Sequence, residues 1–338
     1  MPSLQSALKH IQSSDAMTTF LESHTVNVNE KDQHGDALVH FAARAHAVDV
    51  LQVLHDHGAD LGAVNEHGRQ PLHEAIDSID CVAYLVKHDS VDVNALKRGD
   101  WTPLMSAALK GNLDIIKILE QAGAQLDRIT KDGRTALHLA IQNGHVETAI
   151  YLAEHSPSSV MKCTKSGRLP AQLAAALSPP ETSYAITSFL LSNPLWTTPI
   201  LNHRDNSGRG VLIDAAAARS FQLLKKLLLE YDIDPNQTDS IHRSMIHYAA
   251  MMGHLDTLEF IYHLRLPKDV YWDAPDSWDQ WTPLLHAARE GHTPIVRFLL
   301  ENKLADKSWK DKRGRTGYDL ANTWNHRDIC EYLQGICT

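Results

Sequence analysis

The sequence predicts an all-α solenoid of about nine helix-turn-helix units, joined by β-turn fingers and closed by a cap at each end. Three observations lead to that prediction. A short word, Thr135-Ala136-Leu137-His138-Leu139-Ala140, recurs as Gln70-Pro71-Leu72-His73-Glu74-Ala75, as Thr102-Pro103-Leu104-Met105-Ser106-Ala107, as Ser244-Met245-Ile246-His247-Tyr248-Ala249 and as Thr282-Pro283-Leu284-Leu285-His286-Ala287. Weaker copies start at Ala37, Leu169, Gly210 and Thr316, and the nine starts are separated by 33, 32, 33, 34, 41, 34, 38 and 34 residues. Finally, a Gly-Asn or Gly-His pair at 111–112, 144–145, 253–254 and 291–292 ends a first helix and starts a second.

A period near 33 with a Thr-Pro-Leu-His-x-Ala core resembles the ankyrin repeat. Each residue of the word has a local reason to be there. Glycine two places before it (Gly35, Gly68, Gly133, Gly167, Gly208, Gly314) suits a tight turn. Threonine is an N-cap type, and proline fits the first helical position, where no N–H is required. Leucine and the alanine pairs (Ala42-Ala43, Ala107-Ala108, Ala249-Ala250, Ala287-Ala288) face inward and let helices approach closely. The second helix adds an apolar stripe such as Ile115, Ile116, Ile118 and Leu119, which only stacking can bury.

This register gives an N-terminal helical cap at 1–30, with short helices at 3–12 and 14–23 and an exit through Val26-Asn27-Val28-Asn29. Eight repeats follow over 31–309, at 31–63, 64–95, 96–128, 129–162, 163–203, 204–237, 238–275 and 276–309. A C-terminal capping repeat occupies 310–338, where Asp319, Asn322 and Asn325 replace apolar residues. The fifth repeat is stretched by Ser178-Pro179-Pro180-Glu181 and by a long exit through Pro194-Leu195-Trp196; the seventh exits through Pro267 to Trp272. Such insertions go to loops, either as part of a binding face or as neutral surface variation.

Composition narrows the class. With 43% hydrophobic and 22% charged residues in 338, the chain has ample core for a continuous array. A net charge of −9 argues against a general nucleic-acid binder and leaves room only for a local basic patch. Scattered Cys81, Cys163, Cys330 and Cys337, without a CxxC pair, fit a reducing compartment. The first residues lack a charged-then-apolar leader, and no apolar run reaches membrane-span length. The expectation is a cytoplasmic or nuclear protein, monomeric, without membrane association.

Motifs for chemistry do not survive the register. Of 21 histidines, His40, His73, His138 and His247 fall at the word position that caps backbone, and His145, His254 and His292 between helices. His55-Asp56-His57 has no third convergent ligand, so no metal site is expected. His203-Arg204-Asp205-Asn206 and His326-Arg327-Asp328 spell a kinase catalytic loop without its companions. No GxSxG, HExxH or P-loop occurs, and neither an enzyme nor a cofactor is expected.

The residue before each word is expected to point outward from its finger. Down the chain it reads Asp36, Arg69, Trp101, Arg134, Arg168, Arg209, Arg243, Trp281 and Arg315, with Lys97, Arg98, Lys131, Lys162, Lys165 and Arg204 nearby. The candidate partner-binding residues are Arg69, Lys97, Arg98, Trp101, Arg134, Arg168, Arg209, Trp278 and Trp281. Arginine and tryptophan are the side chains most enriched in binding hot spots, and a cationic ridge selects an acidic surface. The plainer reading of any one arginine is a solvated finger tip.

Several stretches resemble one particular group, the ankyrin repeat domain-containing protein sixteen family: Pro71-Leu72-His73-Glu74-Ala75, Leu96-Lys97-Arg98-Gly99-Asp100-Trp101-Thr102-Pro103-Leu104-Met105, Lys131-Asp132-Gly133, Arg204-Asp205-Asn206 and Asp214-Ala215. The similarity runs over about 65–300. The resemblance implies binding to alanyl-tRNA synthetase and capture of misactivated serine on lysines, here Lys97, Lys131 and Lys162. Arg98 stands where that family has an acceptor lysine, and a guanidinium is no acyl acceptor. The alternative is a generic ankyrin adaptor that recruits an acidic protein, such as a signalling or ubiquitin-ligase component. Neither reading involves sequence-specific nucleic-acid binding.

Overall fold

The structure is a computed structural model and describes residues 4–335. The outermost three residues of each predicted cap lie outside that span. The chain divides into two units, Met1–Thr164 and Lys165–Thr338. Among the described residues there are helices and turns, and only two isolated antiparallel bridges, Lys97–Trp101 and Thr238–Ser244. The fold is an all-α ankyrin-repeat solenoid.

The N-terminal unit comprises α1 (Leu4–Leu8), α2 (Ser14–Ser23), α3 (Leu38–Arg44), α4 (Val48–Asp56), α5 (Pro71–Glu74), α6 (Ile79–Leu85), α7 (Pro103–Lys110), α8 (Leu113–Gln121), α9 (Ala136–Gln142), α10 (Val146–His155) and the turn α11 (Pro157–Val160). The α7–α8 pair shows how one repeat forms. Thr102 caps α7 by accepting from Met105 N at 3.2 Å, and Pro103 opens the helix. Gly111 ends it in the left-handed region at φ 74°, conformationally cheap for glycine alone. A β-carbon on Gly111 would lie 2.5 Å from His145 Nδ1, so its bare Cα also admits the next repeat's histidine. His145 then donates from Nε2 to Leu109 O at 3.0 Å. Leu104, Ala107, Ala108, Ile115, Ile116 and Leu119 are buried between neighbouring helices. Truncating one such leucine to alanine costs about 2–5 kcal/mol.

The C-terminal unit comprises α12 (Pro170–Ala175), α13 (Pro180–Ser192), α14 (Pro194–Asn202), α15 (Val211–Ala217), α16 (Phe221–Lys225) running into a π-helical turn (Lys226–Glu230), α17 (Met245–Met252), α18 (Leu255–His263), α19 (Pro283–Glu290), α20 (Thr293–Glu301), α21 (Gly317–Thr323) and α22 (Arg327–Gly335). Here the sequence reading needs one correction. The stretch from Pro194, expected as a long exit, is helix α14. Asn193 caps it by accepting from Leu195 N at 3.0 Å, and Pro194 takes the first helical position, so these residues are a helix start signal. The exit of the seventh repeat remains irregular but is pinned. Trp272 packs edge-on to Tyr262 with ring centroids 6.1 Å apart, and Asn236 accepts from Tyr271 N at 2.8 Å.

Candidate partner-binding site

Every finger is a tight turn, and one sequence position sets how that turn is closed. Five residues before the helix cap, a side-chain oxygen normally accepts the turn amides. Asn65 Oδ1 accepts from His67 N and Arg69 N, both at 2.9 Å, and Thr130 Oγ1 accepts from Arg134 N at 3.1 Å. Asp205, Asp239 and Asp311 do the same for Arg209, Arg243 and Arg315, and Asp32 for Asp36. In the eighth finger, one residue longer, Asp276 accepts from Trp281 N at 3.1 Å. The third finger has Lys97 at this position, and an ammonium cannot accept. Its turn is closed by backbone alone: Lys97 N donates to Trp101 O at 3.0 Å, and Trp101 N to Lys97 O at 3.3 Å. Gly99 and Asp100 both take positive φ, 87° and 63°, to make the reversal.

That backbone pairing sets Lys97 and Trp101 directly opposite each other, on the same side of the hairpin. The Lys97 ammonium accordingly lies 5.5 Å from the Trp101 ring centroid. Among the described residues no carboxylate or hydrogen-bond acceptor pairs with it. Desolvation first, and then the nearby Arg69 and Lys110 cations, hold its pKa below the usual lysine value, against the pull of Glu74. The finger is tied to its neighbour by Arg98 N donating to His67 O at 3.0 Å. Gly68 lies so close that a β-carbon there would sit 2.9 Å from Leu96 O. The result is a recess of about 470 Å³ lined by His67, Arg69, Lys97, Arg98, Trp101 and Leu109. From behind, His73 Nδ1 accepts from Gln70 N at 3.1 Å and its Nε2 donates to Trp101 O at 3.3 Å. Burial and the Lys97 charge push the His73 pKa down to about 4, which keeps the ring neutral and this tautomer fixed.

The remaining candidates are placed differently. Arg69 pairs with Glu74 at 3.0 Å and still lines the recess. Arg134 pairs with Asp132 at 2.8 Å. Arg168 reaches Asp214 at 2.9 Å, and Arg209 reaches Asp205 at 3.4 Å. Outside the candidate set, Arg243 meets Asp276 at 3.1 Å and Arg315 meets Asp311 at 2.7 Å. The expectation that the residue before each word points outward is corrected for Arg168, Arg209, Arg243 and Arg315, which are drawn onto buried aspartates, whereas Arg134 pairs with the half-exposed Asp132. Trp281, expected to be exposed, is half-buried. Its Nε1 donates to Asp311 at 3.1 Å, and the Arg289 and Arg315 guanidiniums lie 5.4 and 5.8 Å from its ring centroid. Trp101 is likewise half-buried, whereas Trp278 is 69% exposed at the tip of its finger. Of the acceptor lysines, Lys162 is held by Asp127 at 3.0 Å, and Lys131 is exposed.

The sequence reading did not single out the position five residues before the cap. Aligning the repeats on their caps shows it: Asp32, Asn65, Lys97, Thr130, Thr164, Asp205, Asp239 and Asp311, with Asp276 shifted by one.

Comparison with known proteins agrees with this architecture. A family model described as ankyrin repeats (3 copies) matches residues 4–97, 91–165 and 246–336, and one described as ankyrin repeats (many copies) matches 212–262. The chain is similar to transient receptor potential cation channel subfamily A member 1 of Homo sapiens, 26% identical over 370 residues, covering 85% of this chain and 32% of that protein. It is similar to Rabankyrin-5 of Homo sapiens, 30% identical over 126 residues, covering 36% and 11%. It is also similar to glycerophosphocholine phosphodiesterase GDE1 of Candida albicans, 27% identical over 286 residues, covering 79% and 23%. The chain spans about a third or less of the length of these curated relatives. Among the described residues, no helix is long and apolar enough to cross a membrane. With the repeat word, the finger turns and the paired helices all in one register, and with family models matching most of its length, the chain belongs to the ankyrin-repeat family.

Proposed function

We propose that this chain is a non-catalytic scaffold that holds an acidic protein partner at the third finger of its N-terminal unit. Ankyrin repeats are protein-interaction modules, so the class follows from the family. The observation that supports the location is Lys97 at the turn position where the other fingers have oxygen acceptors. It leaves an unpaired ammonium beside Trp101, Arg98 and Arg69 around one recess.

The more specific form of this reading names alanyl-tRNA synthetase as the partner. Its support is the resemblance carried by residues 96–105, the same stretch that builds the open finger. In this form Lys97 is the acceptor best suited to capture activated serine. Its neutral Nζ attacks the carbonyl carbon of seryl-adenylate, the acyl C–O bond to phosphate breaks, AMP leaves, and the proton passes to solvent as the amide forms. Half-burial and neighbouring cations favour the neutral amine. Lys162 is occupied by Asp127.

The test is titration of the purified chain with alanyl-tRNA synthetase of the same organism, using wild type, Trp101→Ala and Lys97→Arg. Submicromolar binding weakened by Trp101→Ala, with serine found by mass spectrometry on Lys97 of the wild type and absent from Lys97→Arg, supports both docking and capture. No binding at micromolar concentration removes the synthetase and leaves the adaptor for another acidic protein, to be sought with Trp101→Ala as the negative control.

A further inference from the structure

We propose that the recess at the third finger recognises a phosphorylated serine or threonine on the docked partner. This rests on the reading of that finger as the docking site and adds the chemical group that anchors there.

The argument is one of uncompensated charge. Arg69, Lys97 and Arg98 bring three basic side chains to the rim, with His67 beside them. Among the described residues only Glu74 answers them from within, and it is shared with Arg44 at 3.3 Å. The carboxylates nearest along the chain, Glu66 and Asp100, point to solvent, while Asp77 is taken by Lys110 and Asp132 by Arg134. Cations gathered without counterions repel one another, and a bound anion relieves that repulsion. A carboxylate brings one charge; a phosphate monoester brings between 1.5 and 2 near neutral pH, on three acceptor oxygens. It can therefore accept from the Arg98 fork and the Lys97 ammonium together. Leu109 and the edge of Trp101 supply an apolar wall for the carbon that carries the phosphate. One face of Trp101 already holds Lys97, and the recess is an open groove along two finger tips, so an extended peptide suits it better than a stacked base.

The experiment is calorimetric titration of the full chain with a short Glu-rich peptide carrying one phosphoserine. The same peptide with serine, the same with glutamate, and AMP are run beside it. The phosphopeptide is expected to bind about tenfold more tightly than the glutamate version, an increment typical of a charge-assisted, multidentate contact. Lys97→Gln and Arg98→Gln should each remove most of that advantage with thermal stability unchanged. The advantage should shrink as the pH drops below the second phosphate pKa of about 6. Equal affinity for the phosphoserine and glutamate peptides overturns the proposal, as does AMP binding without peptide binding. If a natural partner binds through Trp101 and is indifferent to phosphatase treatment, the phosphate is wrong and the docking site stands. If no partner binding responds to Trp101→Ala, both fall.

Discussion

The third finger of the N-terminal unit and the fingers of the C-terminal unit are built from similar letters and end in opposite states. In the C-terminal unit, Arg209, Arg243 and Arg315 lie on the buried Asp205, Asp276 and Asp311, which also accept turn amides. Their charge serves the fold. In the third finger of the N-terminal unit the acceptor is replaced by Lys97, and the charge faces the recess. The number of cations in a sequence therefore does not measure its basic surface. What matters is whether a carboxylate, from the same finger or from a neighbouring repeat, pairs with each of them.

The sharpest way to break this comparison is at Asp276. Its carboxylate receives Arg243 at 3.1 Å, His286 at 3.2 Å and the Trp281 amide at 3.1 Å. Burial works against ionisation, but the His286, Trp281 and Arg243 hydrogen bonds outweigh it and hold the carboxyl well below the usual range. Asp276→Ala leaves a guanidinium and turn amides unpaired, and should cost about 3–5 kcal/mol in urea unfolding of the full chain. Lys97→Ala, which removes no buried partner, should stay within about 0.5 kcal/mol. Comparable losses at the two sites would end the distinction.

A second prediction concerns acid. His73, beneath the open finger, is neutral because burial and Lys97 lower its pKa to about 4. In the unfolded chain its pKa is near 6.5. As pH falls below 6.5 the unfolded state gains a proton that the native state refuses, so stability declines until the native ring protonates near 4. The full difference is roughly 3 kcal/mol for this one group. His73→Gln should remove that part of the acid sensitivity and keep both hydrogen bonds. Gln172 already makes the same pair in the fifth repeat, accepting from Leu169 N at 3.1 Å and donating to Arg209 O at 2.7 Å. Unfolding followed from pH 7 to 4 decides the matter; an unchanged slope in the variant would assign the acid loss elsewhere, with His247, pushed to about 3, the next candidate.

These two sites also show what a sequence discloses. The solenoid was legible because helix caps, breaker glycines and alanine pairs are local signals repeated in phase. Helix α14 was not, because Asn193-Pro194 has the same composition in a loop and at a helix start, and only neighbouring packing selects between them. The finger arginines were legible as residues and illegible as charges. Arg168, in a finger turn, meets a carboxylate 46 positions away in helix α15, and no local pattern announces that pair. The recess lay between the two: Lys97, Arg98 and Trp101 could be named from the chain, whereas His67 joins them through the hydrogen bond between adjacent finger tips and Leu109 from helix α7 of the same repeat.

The smallest expected effect is the one that ties stability to binding. If Lys97 is at its position for a partner rather than for the fold, restoring an acceptor there should improve the fold. Lys97→Asn places at the third finger the group that Asn65 provides at the second, within reach of the Gly99 and Trp101 amides. Hydrogen bonds of this kind are worth about 0.5–1.5 kcal/mol, so the variant should unfold at higher urea with an unchanged denaturant slope. It should also bind an acidic partner less well, because one ammonium has left the recess. A gain in stability joined to a loss of binding is the mark of a residue held for function at some expense to the fold. A variant that is less stable would mean that the lysine stem packed against Trp101 matters more to this hairpin than the missing acceptor, and the open finger would then be a structural solution rather than a docking site.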